Sequence, residues 1–587
     1  MANYSTVLND RLTAIGASTI AESYDSAGAL PTLLLTDIGE IAYTSNNGKL
    51  NAWNGTSWNT VGIVNTAPTV SSTSDADLAS DGTPTVITFY DSDAEDVPLT
   101  WSYSVTSGSL GGTTVSVSGS TFTITPSTNS ADAGSFTLSF IATDGINQAS
   151  TSASYSLAFG VNWTTATLVR TLSNPNAYGT SANDSFGNIV YMKGDYAFIG
   201  VEFEDDAGGT ESGKLYIFNV TNGTLVKTLN NPNGYGTTAN DRFTGYPAAG
   251  SSPIAVHNNY LAVGAPLEDD AGGTESGKAY IFETTTGDWS DTTLIRTLNN
   301  PNAFGTSTSD YFGRSLALFG NYCAVAAAYE DDTGTDINSV GRVYIFNVTT
   351  GALITTLNDP NPYGTKANDR FGDSNMYMDD SYLIVAAIGE GDASGTSSGK
   401  VYIFKTTTGD WTDAALIKTL DNPNAENTSA NNLFGQKLAV SGNYLIVGVP
   451  NEHVSGLYNS GTVYIFKTTT GDWTDTALLH TIINPDDDGN AGADEFGYLI
   501  AASGDFATIT AFRENDTNGT QSGKAYIYDL TTGTLVKTLY NPNAYGTSAN
   551  DFFSQPAMDQ DYILIGAPQE DEAGALGSGK VYVFQAS

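Results

Sequence analysis

The chain has 587 residues, a formal net charge of −41 and 40% apolar residues. The apolar fraction excludes a fully disordered chain, and the negative charge excludes nucleic acid and argues against binding to anionic membrane surfaces. Cys323 is the single cysteine, which excludes an intrachain disulfide and favours a small buried residue.

The first segment, residues 1–66, combines a weak helical pattern with a β-hairpin. Apolar residues in Tyr4–Glu22 recur at helical spacing, and the Ser45–Gly48 turn, which ends in Asn-Gly, separates two apolar strands. The hairpin carries Gly-Glu-Ile-Ala-Tyr (residues 39–43) and Leu-Asn-Ala-Trp-Asn-Gly-Thr-Ser-Trp (residues 50–58). These motifs resemble a module of marine, cyanophage-like bacteriophage tail fibres and appendages. The resemblance implies attachment to other virion proteins, or to another copy of the chain.

Residues 67–160 predict a β-sandwich of short alternating strands. The Asp91–Trp101 segment and the Phe140–Gly145 segment resemble immunoglobulin-like or cadherin-like modules, which commonly act as spacers. In the cadherin-like modules, acidic residues at such places hold calcium. The alternative is that these side chains cap turns. The candidate calcium ligands are Asp91, Asp93, Glu95, Asp96 and Asp144.

Residues 161–587 contain seven copies of one repeat with a period of about 61 residues. Each copy has a Leu-Val-Lys-Thr-Leu type strand, an Asn/Asp-Pro loop, a Phe that is usually followed by Gly, an apolar strand and a Gly-x-x-Tyr-Ile-Phe strand. Strands that are apolar on both faces indicate blades packed between neighbours. The fold class is therefore predicted as all-β, with a seven-bladed β-propeller after the sandwich and the attachment module.

The phase of the repeat predicts how the ring closes. The first copy starts with a spare strand, Leu168–Leu172, and the last copy ends after a Tyr-Val-Phe strand at Val581–Phe584. Pairing of these two strands would complete the seventh blade and remove two exposed edges.

The order Phe-Gly, Gly-Asp-Tyr, Val-Gly-Ala-Pro (Val263–Pro266) and Gly-x-x-Tyr-Ile-Phe resembles the FG-GAP repeat of integrin-alpha-type propellers. The calcium loop of that family, Asp-x-Asp-x-Asp-Gly, is replaced here by a short turn such as Lys193–Tyr196. The calcium site of the family therefore does not carry over.

Acidic, glycine-rich loops recur on one predicted face of the ring. Clustered carboxylates suit a hard cation such as Ca²⁺, although the same residues also cap turns. The candidate ligands are Glu204, Asp205, Asp206, Glu268, Asp269 and Asp270, with Glu330, Asp331 and Asp332 in the next copy.

Three hairpins are longer than the others and carry a tryptophan, namely Trp289, Trp411 and Trp473. These rings could stack on sugars of a host-surface glycan, or each could hold its longer hairpin in place.

No catalytic or nucleotide-binding motif is visible, and the three histidines, His257, His453 and His480, fall at unrelated repeat positions. The predicted function is therefore non-enzymatic: a virion structural protein, assembled in the host bacterial cytoplasm, that docks by its N-terminus and displays a propeller to the host or to other virion parts. The N-terminus has no signal-peptide pattern, and the chain has no apolar run long enough to span a membrane. The alternatives are a bacterial cell-surface adhesin and, third, a polysaccharide-degrading propeller.

Overall fold

The computed structural model describes residues 20–24, 41–44, 49–53, 56–63, 66–79, 82–93, 98–127, 132–157, 161–175, 181–207, 209–233, 238–245, 251–271, 273–301, 307–331, 338–361, 367–391, 396–423, 430–454, 456–485, 493–516, 519–543, 548–572 and 575–586. The chain divides into two compact units, Met1–Gly160 and Val161–Ser587. The described residues are all-β, apart from a turn of 3-10 helix at Trp163–Thr165 and the 3-10 residue Asp132.

The first unit begins with a four-stranded sheet in the order β1-β2-β3-β4. Its strands are β1 (Ile20–Tyr24), β2 (Ile41–Thr44), β3 (Lys49–Trp53) and β4 (Trp58–Ile63). Strands β2 and β3 form the predicted antiparallel hairpin, in which Ile41 pairs with Ala52. The predicted helix Tyr4–Glu22 is wrong at its C-terminal end, because β1 pairs with β2 in a parallel ladder. Residues 4–19 of that prediction lie outside the described residues.

Two further sheets of the first unit share one core. One sheet has the order β10-β11-β7, the other has the order β6-β13-β12-β9, and β5 pairs with β8. Fully buried Phe122 and Phe140 meet in this core with ring centroids 4.8 Å apart. The strands are β5 (Thr69–Val70), β6 (Ala76–Leu78), β7 (Thr85–Thr88), β8 (Asp91–Ser92), β9 (Thr100–Gly108), β10 (Thr114–Ser118), β11 (Thr121–Thr125), β12 (Gly134–Thr143) and β13 (Gln148–Leu157).

The described residues of the second unit form seven four-stranded antiparallel sheets, as expected for propeller blades. They are numbered by their first strand along the chain. The strands of sheets 1 to 3 are β15 (Ile189–Lys193), β16 (Tyr196–Val201), β17 (Lys214–Asn219), β18 (Thr224–Asn230); β19 (Ile254–His257), β20 (Tyr260–Ala265), β21 (Lys278–Glu283), β22 (Thr293–Asn299); and β23 (Phe312–Phe319), β24 (Tyr322–Ala327), β25 (Arg342–Asn347), β26 (Leu353–Asn358). Cys323 is buried in β24, as predicted.

Sheets 4 to 7 follow the same order, except that sheet 7 takes its outer strand, β14, from the start of the unit. Their strands are β27 (Tyr377–Met378), β28 (Tyr382–Ala387), β29 (Lys400–Lys405), β30 (Ala415–Asp421); β31 (Lys437–Ser441), β32 (Tyr444–Val449), β33 (Thr462–Lys467), β34 (Ala477–Ile483); β35 (Phe496–Ser503), β36 (Phe506–Ala511), β37 (Lys524–Asp529), β38 (Thr534–Tyr540); and β39 (Gln555–Asp559), β40 (Tyr562–Ala567), β41 (Lys580–Gln585), β14 (Thr167–Ser173).

The seven sheets contact one another in cyclic order. The first strand of each sheet lies against the first strand of the next, and β39 of sheet 7 lies against β15 of sheet 1. The apolar cores lie between neighbouring sheets; one core, for example, joins Ile403 of sheet 4 to Tyr464 of sheet 5. This is why the strands of these sheets are apolar on both faces.

Two contacts close the cycle, one within sheet 7 and one between sheets 7 and 1. Strand β14 pairs with β41, with Leu168 opposite Phe584 and Leu172 opposite Val581, which is the pairing that the repeat phase predicts. Gly579 has a φ of +83°, and a Cβ atom there would lie 2.1 Å from the carbonyl oxygen of Phe186. Glycine is thus required where sheet 7 approaches sheet 1.

Candidate functional site

A buried glutamate follows the second strand of every sheet of the second unit and accepts hydrogen bonds from a buried tyrosine. In sheet 2, the hydroxyl of Tyr280 donates to Glu268 Oε1 and Oε2 at 2.9 and 2.7 Å. Lys278 Nζ lies 2.6 Å from Glu268 Oε1, so the charge is paired as well as hydrogen-bonded. The seven glutamates are Glu204, Glu268, Glu330, Glu390, Glu452, Glu514 and Glu570, each at most 1% exposed.

A second polar pair lies beside each glutamate, in the loop that follows the outer strand. Its usual members are an asparagine and an aspartate ten residues later, as in Asn231 Nδ2 donating to Asp241 Oδ2 at 2.9 Å. Burial and the nearby carboxylate of Glu268 raise the pKa of Asp241 to about 7. Burial is also the largest cause, and the charge of the nearby glutamate the second, that raises the pKa of Asp184, Asp310 and Asp551 to about 7. These polar groups connect the loops to the strands beneath them.

The predicted ring of acidic loop residues is corrected in part. Glu204, Glu268 and Glu330 are fully buried, and each accepts a hydrogen bond from the tyrosine of the following strand. The sequence pattern placed these residues in loops and did not connect them to Tyr216, Tyr280 and Tyr344. The signal was available, since the Glu-to-Tyr spacing recurs in every copy.

The neighbouring aspartates make turn contacts. Asp205 Oδ1 accepts the backbone N–H of Glu211 at 3.0 Å, and Asp269 Oδ1 accepts that of Glu275 at 2.9 Å. Asp206 Oδ1 accepts from Thr238 Oγ1 of the next copy at 2.8 Å. These contacts leave calcium binding at Asp205, Asp206, Asp269 and Asp270 a prediction; Asp331 makes a similar turn contact, and Asp332 lies outside the described residues.

The three tryptophans are buried and do not form a sugar-binding surface. Trp289, Trp411 and Trp473 are 4%, 1% and 3% exposed. Trp289 packs edge-on against Phe198 of sheet 1 with ring centroids 5.0 Å apart. The prediction that these rings stack on sugars is therefore wrong, because each ring packs into the core between its own sheet and the preceding one.

The candidate calcium ligands of the first unit are only partly described. Asp91 Oδ2 accepts a hydrogen bond from Trp101 Nε1 at 3.0 Å, and Asp144 Oδ1 accepts the backbone N–H groups of Ile146 and Asn147 at 2.7 Å. Glu95 and Asp96 lie outside the described residues. Calcium binding by the set that includes Asp93 stays a prediction.

Sheet 4 departs from the repeat in its carboxylates. Asp359 stands where the other sheets have asparagine, and it lies beside Asp369 and Glu390. One carboxylate oxygen of each lies within 4.8 Å of those of the other two, and all three residues are buried. Burial, together with Asp359 and Glu390, raises the pKa of Asp369 to about 9. The sequence motifs did not single out this cluster, although the Asp-Pro in place of Asn-Pro was a visible signal.

A cavity of about 340 Å³ is lined by the first strands of sheets 1 to 5. His257 lies in its wall with its ring centroid 4.1 Å from that of Phe319. Burial and the charge of Lys193 lower the pKa of His257. Among the described residues that line this cavity there is no carboxylate.

A family model described as FG-GAP repeat matches six segments of the chain: 176–218, 250–282, 303–346, 424–466, 482–528 and 543–584. The chain thus carries six matched FG-GAP repeats, and residues 347–423, which contain sheet 4, fall outside the matches. No curated protein sequence matches the chain. Among the described residues, no helix has the length and apolar character needed to cross a membrane.

Two solved structures are similar to this chain over most of its length. A quinonprotein alcohol dehydrogenase-like protein from Bacteroides thetaiotaomicron is 11% identical, with a TM-score of 0.33, and covers 80% of this chain and 93% of its own. A DUF4623 family protein from Bacteroides eggerthii is 10% identical, with a TM-score of 0.31, and covers 86% of this chain and 89% of its own.

Proposed function

We propose that residues 161–587 form a seven-bladed β-propeller that binds and displays rather than catalyses, and that the chain is a virion structural protein. Within the virion, the place that fits is a bacteriophage tail fibre or capsid appendage. The observation that best supports a non-catalytic role is that one buried Glu–Tyr pair recurs in all seven sheets. Acidic groups that recur in every blade serve the scaffold, whereas an active site needs residues that differ from blade to blade.

The contacts of these groups support this role. Glu514 illustrates it, since Tyr526 donates to both of its oxygens at 2.7 Å and Lys524 Nζ lies 2.9 Å from Oε1. A carboxylate that is saturated in this way is not free to transfer a proton to a substrate. The cavity of about 340 Å³ at the first strands lacks the carboxylate pair that polysaccharide hydrolysis uses, among its described lining residues.

The proposed attachment to the virion rests on the N-terminal residues. The hairpin β2–β3 carries the motifs that resemble bacteriophage appendage modules, and it belongs to a sheet of only four short strands. So small a sheet gains stability by packing on a partner. We assign residues 1–66 to docking on other virion proteins or on further copies of the chain, residues 67–160 to an immunoglobulin-like spacer, and the propeller to contact with a host-surface glycan or protein.

The first test is immunogold electron microscopy with antibody against residues 161–587, applied to purified particles and to bacterial envelopes from the same culture. Label on projecting appendages of particles supports the proposal. Label confined to the envelope, with bare particles, refutes it in favour of a cell-surface adhesin.

A second test separates display from catalysis. Purified chain is incubated with a panel of bacterial and algal polysaccharides, and new reducing ends are measured. The proposal expects no release above that of a heat-denatured control. Release that survives repurification and is abolished by substitutions in the cavity wall, such as His257→Ala, would refute the non-catalytic role.

A further inference from the structure

Sheet 4 contains the one carboxylate cluster with metal-ligand spacing among the described residues, and it arises from a single change in the repeat. In five other sheets, an asparagine amide donates to the aspartate ten residues later at 2.8–3.0 Å. In sheet 4 that donor is replaced by Asp359, so a carboxylate faces Asp369 where an N–H group lies elsewhere.

The glutamate of sheet 4 also differs from its counterparts. Glu390 is fully buried, and its Oε2 accepts from the hydroxyl of Tyr402. Its Oε1 has no hydrogen-bond partner among the described residues. In sheets 1, 2, 3 and 6, the basic residue at the start of the third strand lies within 3.3 Å of the glutamate. In sheet 4, the corresponding Lys400 is paired with Asp421 instead, as Lys580 of sheet 7 is with Glu572, and sheet 5 has Thr462 at this position.

Three carboxylates buried together are costly to keep ionised, because each charge loses its hydration and repels the other two. We propose that Asp359, Asp369 and Glu390 bind one calcium ion where the loop from sheet 3 meets sheet 4. This site is distinct from the short turns that replace the calcium loop of FG-GAP repeats and from the acidic loop residues considered above.

The ligand set favours calcium over magnesium. Calcium takes six to eight oxygen ligands in a flexible geometry and accepts several protein carboxylates. Magnesium usually keeps several waters and is bound through one or two carboxylates. All three side chains of this cluster are carboxylates, which suits calcium. Waters would complete the calcium shell.

The chain supplies its own control substitutions. Asp359→Asn restores the asparagine of the other sheets, and Asp369→Asn copies Asn432 of sheet 5, so both changes are compatible with the repeat. Asp380→Asn removes the same charge from an exposed turn of sheet 4 and leaves the cluster intact.

The test is isothermal titration of the full chain, stripped with EDTA, with CaCl₂ and separately with MgCl₂, combined with thermal melting. The wild type and Asp380→Asn should bind one calcium ion at a saturable site and melt at a higher temperature with calcium. Asp359→Asn and Asp369→Asn should lose at least tenfold in affinity at that site and show no calcium-dependent melting shift. Without metal, Asp359→Asn should melt above the wild type, because the amide donor is restored.

Equal calcium responses in the wild type and Asp359→Asn would overturn the proposal, since the ion would then bind elsewhere on the acidic surface. A wild type that responds to neither ion would also overturn it, and would leave a proton shared among the three carboxylates as the compensation. A response to magnesium alone would overturn the assignment to calcium.

Discussion

Replacement of Gly277 by alanine should destabilise the second unit by about 2–5 kcal/mol. Gly277 lies at the boundary between sheets 2 and 3 with a φ of +83°, and a Cβ atom there would lie 2.1 Å from the carbonyl oxygen of Phe312. An L-residue at this φ costs about 1–2 kcal/mol. Relief of the clash requires the two backbones to separate, which adds about 1–3 kcal/mol by analogy with overpacked cores.

Gly287→Ala is the matched control. Gly287 lies in the same sheet with a φ of +76°, but no atom lies within 4 Å of the position that a Cβ atom would take there. It should therefore lose only the conformational part, about 1–2 kcal/mol. The smaller entropy of the unfolded alanine chain affects both variants equally and cancels in the comparison.

The assay is urea unfolding of the wild type and the two variants, followed by circular dichroism and tryptophan fluorescence, with the midpoints converted to free energies through a common slope. The informative quantity is the difference between the two variants, expected at about 1–3 kcal/mol. If Gly277→Ala and Gly287→Ala unfold within about 0.5 kcal/mol of each other, the close approach between sheets does not determine the need for glycine.

Three further predictions follow from the contacts of the second unit. A chain that starts at residue 174 lacks β14 and should melt lower and self-associate, whereas one that starts at residue 161 keeps β14 and should stay monomeric, as measured by light scattering after gel filtration. Trp411→Ala should lower the free energy of unfolding in urea by about 3–5 kcal/mol, because the buried ring fills the core between sheets 3 and 4. A loss of less than about 0.5 kcal/mol, which is typical of an exposed residue, would contradict this burial. Asp184, Asp241, Asp310 and Asp551 have folded-state pKa values raised to about 7, so their contribution to stability is complete below the unfolded pKa near 4 and is lost as the pH rises to about 7. The melting temperature should accordingly fall over that range, and Asp241→Asn, which copies the Asn422–Asn432 combination, should make the fall shallower.

The sequence predicted the strands of the second unit well because their signal is local. Runs such as Val401–Phe404 are apolar at every position, and the structure buries all four residues between neighbouring sheets. The pairing of β14 with β41 was also accessible, since it follows from the phase of the repeat. The helix prediction was wrong at Ile20–Glu22, because Ile20–Tyr24 forms a strand whose ladder bonds to β2 outweigh the weak helical pattern.

The candidate site was harder to predict because burial at a loop depends on contacts distant in sequence. Glu268 follows a strand and looks like a surface residue, until Tyr280 and Lys278 of the next strand are placed beneath it. Trp289 lies in a turn, and only the position of Phe198 in another sheet shows that it is buried. Prediction of the cluster at Asp359 would have required two observations: that this position deviates from the repeat, and that the three carboxylates are buried.

The closure of sheet 7 has a mechanical consequence. Any tension that reaches the second unit through residue 161 is carried first by Trp163, which is buried against sheets 6 and 7, and by the backbone oxygens of Thr164 and Ala166, which Lys537 Nζ binds at 3.0 and 2.6 Å. Only then does it load the β14–β41 ladder, whose first pair joins Thr167 to Gln585. The resistance of the second unit to extraction of its first strand therefore depends first on the contacts around Trp163 and only then on the ladder.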